Sequence, residues 1–315
     1  MIKINSYSKN FEQEYIEYIK GKFKRATSNS LKPDSIRQKL NNKKYESLYI
    51  NYFNSISKNL DIILISKLDK LIELNEKIWS ENNDLKLLLD SNPKEKNNFD
   101  NICKKIFNYE DKLSCDKFFT YKISRNSGVN VCPYCNINYT YTISDEKKDY
   151  VRPEFDHFLP KDKYPIFSLS LYNLIPCCHT CNHQKSNVDF SLKNNLYPFV
   201  DGLQDEKIFS HNITSINQYE VIITNDSRKF KKNRETFHLD EIYKNSFNNV
   251  LYKKHKIAEM YRKKYLLFLE NIDKSLRIQY LKEILGYVDD VRNMSLGKMT
   301  NDIIQEIVSD MSNEL

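Results

Sequence analysis

Between Val131 and Ser186 the chain concentrates residues able to do chemistry. Two CxxC pairs, Cys132/Cys135 and Cys178/Cys181, bracket an Asp156-His157 dipeptide, Asn173, and a polar cluster of Asn182, His183 and Lys185. Thiolates at CxxC spacing can turn both sulfurs onto one ion, and two such pairs complete a tetrahedral zinc site. A closed four-thiolate site leaves no position for water, so the expected zinc is structural. It would tie a strand hairpin to a short helix in a module too small for an adequate core of its own. Cys177 adjoins Cys178, but only Cys178 makes a CxxC with Cys181.

The residues between the knuckles suit phosphodiester hydrolysis. That reaction needs an activated water, charge stabilisation on the phosphate and help for the leaving oxygen. A neutral histidine can meet the first need and a divalent ion the other two. Asp156 and His157, adjacent on an extended segment, point to opposite sides, so one can bind metal while the other faces water. Asn173 on the opposing strand would brace the loop between them through backbone hydrogen bonds. Asn182 at a helix start would complete the protein ligands of Mg²⁺ or Mn²⁺, with His183 as the alternative ligand.

Around this set, Glu154 reads equally as a group supporting the ion or as a strand-surface charge. His179 reads as a solvent-facing turn residue. Arg152, Lys161, Lys163 and Lys185 are candidate phosphate contacts. His211, His238 and His255 fall outside any cluster and read as structural, and the Arg228–Arg234 run reads as a nucleic-acid patch or a solvated loop, with the loop preferred.

The wording CPYC, FDHFLP and YNLIPCCHTCNHQK resembles the HNH endonuclease family in its four-cysteine zinc form. The resemblance covers Val131 to Ser186 and does not reach the flanks. It implies a ββα-metal module with His157 as general base, Asp156 as metal ligand, Asn173 as the middle Asn and Asn182 as the last motif residue. Lys185 matches a basic residue that commonly follows. The stretch PIFSLSLYNLIPCCHTCNHQKS is more narrowly similar to HNH nuclease subunits of Septu and retron-associated anti-phage systems. That implies an ABC-type ATPase partner that restrains or triggers the nuclease, within an oligomeric complex. DNA is the favoured substrate on family frequency. The alternatives are RNA, tRNA included, cut by the same site, or a non-catalytic zinc-ribbon adaptor that binds nucleic acid or a partner.

The elements that must position these residues follow from pattern. Five glycines in 315 residues favour helices over a turn-rich β architecture. Residues 1–127 are expected to be helical, 128–202 to form the loop-and-hairpin module, and 203–315 to run through short strands into helices. The fold class is α+β, mostly α-helical flanks around a small zinc-stabilised module. Phe11, Tyr15, Ile19 and Phe23 make one apolar stripe. Asp61–Trp79 reads as one helix, and Asn92-Pro93 as a break. Tyr139–Ile143, Glu154–Phe158 and Phe167–Leu174 read as strands, and Thr180 onward as a short helix with Lys185 on its exposed side. Phe209–Ile216 and Tyr219–Thr224 read as a strand pair. Asp240 would cap one long helix through Tyr252, Ile257, Tyr261, Tyr265 and Phe268, with two more helices behind it.

Net charge is +7, and the module itself holds seven basic against eight acidic residues. Attraction for a polyanionic backbone must then come from the flanks or a partner. The odd cysteine count at knuckle spacing suits a reducing compartment. The polar N-terminus does not resemble a signal peptide, and apolar runs such as Ile62–Ile65 and Tyr265–Leu269 are too short to span a bilayer. A soluble cytoplasmic protein with no membrane association is expected.

Overall fold

The Phe11/Tyr15/Ile19/Phe23 stripe is the buried side of the first helix, α1 (Lys9–Arg25), whose start is capped by Ser8 accepting from the Phe11 N–H. The computed structural model describes residues 1–26, 30–145, 149–216, 218–264 and 273–312. After α1 come α2 (Pro33–Arg37), α3 (Glu46–Lys58), α4 (Leu60–Ile65), α5 (Leu68–Glu81), α6 (Asn83–Ser91), α7 (Pro93–Ile106) and α8 (Lys117–Ser127). Pro33 and Pro93 occupy first-turn positions, where the missing N–H costs nothing. Gly128 ends α8 at φ +64°, a left-handed conformation that glycine adopts without a Cβ clash.

The single helix expected over Asp61–Trp79 is instead two, α4 and α5. Ser66 is extended at φ −81°, ψ 148°. The Ile63 carbonyl, left without a partner by the break, is taken by the Ser170 hydroxyl at 2.6 Å. The break therefore serves a contact more than a hundred residues away.

The central region holds β1 (Ile143–Ser144) paired with β2 (Asp149–Val151), then β3 (Glu154–His157) antiparallel to β4 (Leu174–Cys177), then α9 (His179–Lys185). In the second pair Asp156 faces Ile175 and His157 faces Leu174. Two expected strands are displaced. Tyr139–Ile143 makes one bridge, Val131 to Tyr139, and the strand begins only at Ile143. Its backbone is spent on closing the first knuckle, with Cys132 N–H donating to Asn138 and Thr140 N–H to Asn130. Phe167–Leu174 is two short 3₁₀ turns, and its strand starts at Leu174.

Next come the hairpin β5 (Phe209–Ser215) and β6 (Gln218–Ile223), then α10 (Arg228–Phe237), α11 (Leu239–Ser246), α12 (Asn248–Lys264), α13 (Lys274–Leu285) and α14 (Gly297–Ser312). The Arg228–Arg234 run is a helix, not a loop, because Phe230, Asn233 and Phe237 give it a buried face. The long helix expected from Asp240 is divided into α11 and α12, and the residue at the N-terminal end of α11 is His238, at φ +49°. Tyr265 and Phe268 lie outside the described residues.

Helices with small antiparallel sheets make this an α+β fold, and one hydrophobic cluster runs from Met1 to Met311 through all three regions. Among the described residues no helix is long and apolar enough to cross a membrane. Lys298 and Asp302 on α14 form a buried pair at 2.6 Å, and Asp302 also accepts the Ile208 and Phe209 N–H groups at 3.0 Å. Asp302→Ala strands an ammonium and two amides in the core. It is expected to cost about 3–5 kcal/mol, read as a lowered midpoint in urea unfolding.

Candidate active site

The four knuckle cysteines are buried, and their sulfurs all lie within 4.8 Å of one another. A tetrahedral zinc at about 2.3 Å from each sulfur needs sulfurs about 3.8 Å apart, so the cluster is compatible with zinc. The backbone turns that present the sulfurs also feed them donors. Ile137 N–H points to Cys135 Sγ at 3.4 Å, and Asn138 Nδ2 to Cys178 Sγ at 3.3 Å. Cys177 is buried outside the cluster. The first knuckle is fixed to the C-terminal helices through Asn136, which is left-handed at φ +54°. Its side chain donates to the Val291 carbonyl at 3.0 Å and accepts from Lys298 N–H at 2.9 Å. Tyr243 donates to the Cys135 carbonyl at 2.6 Å.

His157 ends β3 with its ring buried, edge-on to Tyr109 at 4.7 Å between centroids. Its Nε2 lies 2.9 Å from the Ser168 carbonyl. A carbonyl only accepts, so Nε2 carries the proton and Nδ1 keeps its lone pair. Burial lowers the imidazole pKa to about 4, against the raising effect of that hydrogen bond, so the ring is neutral at pH 7.

Asn173 is fully buried and braces the intervening loop. It accepts from Leu159 N–H at 2.8 Å and donates to the Leu159 and Phe167 carbonyls at 3.1 Å. The N-terminal helices grip the same loop. Ser168 donates to the Phe107 carbonyl, and Tyr15 to the Leu169 carbonyl at 2.8 Å.

On the other side of β3, Asp156 is buried between two donors. Lys185 Nζ lies 2.9 Å from Oδ1, and the Tyr134 hydroxyl 2.7 Å from Oδ2. Burial pushes the Asp156 pKa above the ordinary range, and Lys185 and Tyr134 act against that. Lys185 is not on the exposed side of α9. It is 0% exposed and also donates to the His157 carbonyl at 2.6 Å, so its ammonium is turned inward rather than toward a solvent-borne phosphate.

Asn182 and His179 both engage Glu154, through Nδ2 to Oε2 and Nδ1 to Oε1, each at 2.8 Å. Burial raises the Glu154 pKa, but the bonds from Asn182 and His179 outweigh it and leave the carboxyl below its usual value. His179 is solvent-facing, as expected, but it opens α9 rather than lying in a turn and is a partner of Glu154.

A cleft of about 370 Å³ brings together Glu154, Asp156, His157, His179, Asn182 and His183, with Tyr109 and Lys161 on its rim. Lys161 is paired with Glu110, and Lys163 with Asp189 at 2.6 Å. Arg152 donates to the Pro153 carbonyl at 2.7 Å and lies over the Phe155 ring.

Sequence reasoning gave no role to Tyr134, Tyr109 or Ser168. Tyr134 had a signal, as the aromatic between the two cysteines of CPYC; the other two had none. His211 and His255 were expected outside any cluster, yet their Nε2 atoms lie 2.8 Å apart, with Glu306 at 3.3 Å from His211 Nδ1. His238, the third, stands at the N-terminal end of α11 with no capping bond from its side chain.

Over 72 residues the chain is 38% identical to "Septu protein PtuB" of Bacillus thuringiensis, covering 23% of this chain and 25% of that protein. The matched stretch thus spans about a quarter of the relative. No family model matches the chain. No solved structure matches it.

Elemental analysis of the purified chain is expected to find one zinc, lost from Cys181→Ser. The loss should cost several kcal/mol of stability, because zinc binding to a site of this kind is coupled to folding. A wild-type chain without zinc would contradict the assignment.

Proposed function

We propose that the chain is a metal-dependent HNH endonuclease of the ββα-metal kind, acting in the cytoplasm as the nuclease component of a Septu-type anti-phage system. The observation that carries this reading is the state of His157. It is a neutral imidazole, lining a cleft, with one nitrogen committed to a backbone carbonyl and the other holding a lone pair. The local likeness to a Septu protein supports the defence role.

In this reading zinc on the four sulfurs clamps the first knuckle to α9. A divalent Mg²⁺ or Mn²⁺ in the cleft would supply charge neutralisation at the phosphate and stabilise the departing oxygen. Asn182 and the carboxylates Glu154 and Asp156 are the residues of the cleft whose oxygens suit such an ion. His157 takes a proton from water at Nδ1 while Ser168 holds the ring in place. The water oxygen attacks phosphorus, the bond to the 3′ oxygen breaks, that oxygen takes a proton from solvent to leave as a hydroxyl, and the product keeps a 5′ phosphate. Asn173 serves by fixing the loop that carries Ser168. DNA is the proposed substrate, and an ABC-type ATPase the proposed partner that controls cleavage within a larger complex. Lys161, which lines the cleft, and Arg152, two residues before Glu154, are the proposed phosphate contacts.

A plasmid-nicking assay with and without EDTA, run beside a structured RNA, tests the reading. EDTA-sensitive nicking of DNA is expected from the wild type. His157→Ala should reduce it by about 10²–10⁴-fold, the contribution of a general base, with zinc content and unfolding midpoint preserved. Undiminished cleavage by that variant would remove the reading, and cleavage of RNA alone would change its substrate.

A further inference from the structure

A second cavity, of about 240 Å³, shares no lining residue with the cleft. One side is built by α3, α5, α6 and α7, and the other by residues 163–166 of the central module. Small-molecule sites form preferentially at such junctions between packing regions. Its size suits one ring system with a short polar arm, less than a drug-sized molecule.

The helical side is aromatic. Tyr52, Trp79 and Phe99 pack on one another with ring centroids 4.7–5.6 Å apart, and Tyr164 lines the cavity from the module. Aromatic clusters are ordinarily core, but two observations here point to a ligand. Tyr52 is 1% exposed, yet among the described residues its hydroxyl has no hydrogen-bond partner. Burial, with Cys103 and Asp100 nearby, pushes its pKa well above the ordinary value, so the group stays a phenol and offers a proton. Buried donors normally have partners, and this one lines a space that can bring one.

The rim supplies the other observation. Lys96 is paired with Asp100 at 3.6 Å and Lys163 with Asp189 at 2.6 Å. Lys86 is exposed and belongs to no ion pair among the described residues. A leucine or phenylalanine from a partner protein would cover the rings but leave the Tyr52 hydroxyl and the Lys86 ammonium unanswered. A nucleotide answers all three, with a stacking face, acceptors in the plane of the base, and an anion on a short arm. Its amine and ribose hydroxyls would meet Asn75 and Asp90, which also line the cavity.

We infer that this cavity binds a nucleotide, with its base against the Tyr52, Trp79 and Phe99 rings, a base acceptor on the Tyr52 hydroxyl and the phosphate at Lys86. The site stands independently of the nuclease reading. The nucleotide is either free or an unpaired position of a strand, and the probes below separate these sources.

AMP is titrated into the zinc-loaded full chain by calorimetry and by the fluorescence of Trp79, the chain's one tryptophan. The wild type should bind one AMP with quenching, adenosine less tightly and ribose 5-phosphate not at all. Tyr52→Phe should weaken AMP binding by about three- to tenfold, the effect of one hydrogen bond, with the unfolding midpoint unchanged because the lost group was bonded to nothing. Trp79→Leu, followed by calorimetry, should weaken it more than about fivefold. Lys86→Ala should bring AMP down to the affinity of adenosine. Lys77→Ala, on α5 but outside the cavity lining, should change nothing. A short oligo-dA strand that binds more tightly than AMP through the same residues assigns the site to a strand, and equal or weaker binding assigns it to a free nucleotide. Three results would overturn the inference: no binding of AMP or the strand at millimolar concentration, binding that leaves Trp79 fluorescence unchanged, or undiminished affinity in Tyr52→Phe.

Discussion

One hydrogen bond decides what the central imidazole can do. Because the Ser168 carbonyl accepts from Nε2, the opposite nitrogen is the one with a lone pair. A carbonyl in a loop of short 3₁₀ turns holds its direction only if the loop is held. Asn173 ties the loop from inside with three backbone bonds. The hydroxyls of Ser168, Ser170 and the distant Tyr15 tie it to the N-terminal helices. The helical region before the module is therefore part of the site's support, and the break between α4 and α5 exposes one of the carbonyls used.

The opposite end of the module is held differently. Four sulfurs converge where the first knuckle meets α9, and the knuckle is gripped from the C-terminal side, its backbone by Tyr243 and Leu296 and the Asn136 side chain by the Lys298 N–H. Between the two ends runs the ion pair of Asp156 and Lys185. Buried pairs of this kind add little net stability but are costly to break singly, so this one sets how β3 sits on α9. The strand thus carries a base on one side and, on the other, one carboxylate fixed inside and another facing the cleft.

How much of this is legible in the sequence depends on the separation of the partners along the chain and on the kind of group involved. The CxxC pairs and the Asn173 brace are legible because spacing and residue type limit what they can be. The α1 stripe is legible because a four-residue repeat of large apolar groups has one stable use. Lys185 misleads because a lysine near the end of a short helix is usually solvated, and its partner lies 29 residues back. Ser168 is invisible, since its role belongs to a backbone carbonyl that any residue could offer. The strand expected over Tyr139–Ile143 fails because β-favouring residues do not show that their amides are needed to close a knuckle. Glu154 reads two ways in the sequence because its partners, His179 and Asn182, lie 25 and 28 residues further along the chain.

The central claim, that a fixed carbonyl sets the proton of a buried neutral imidazole, is tested most directly by the nitrogen-15 resonances of His157 in the labelled chain at pH 7. The account expects a neutral ring with hydrogen on Nε2 and a bare Nδ1. A ring protonated on Nδ1, or on both nitrogens, would contradict it.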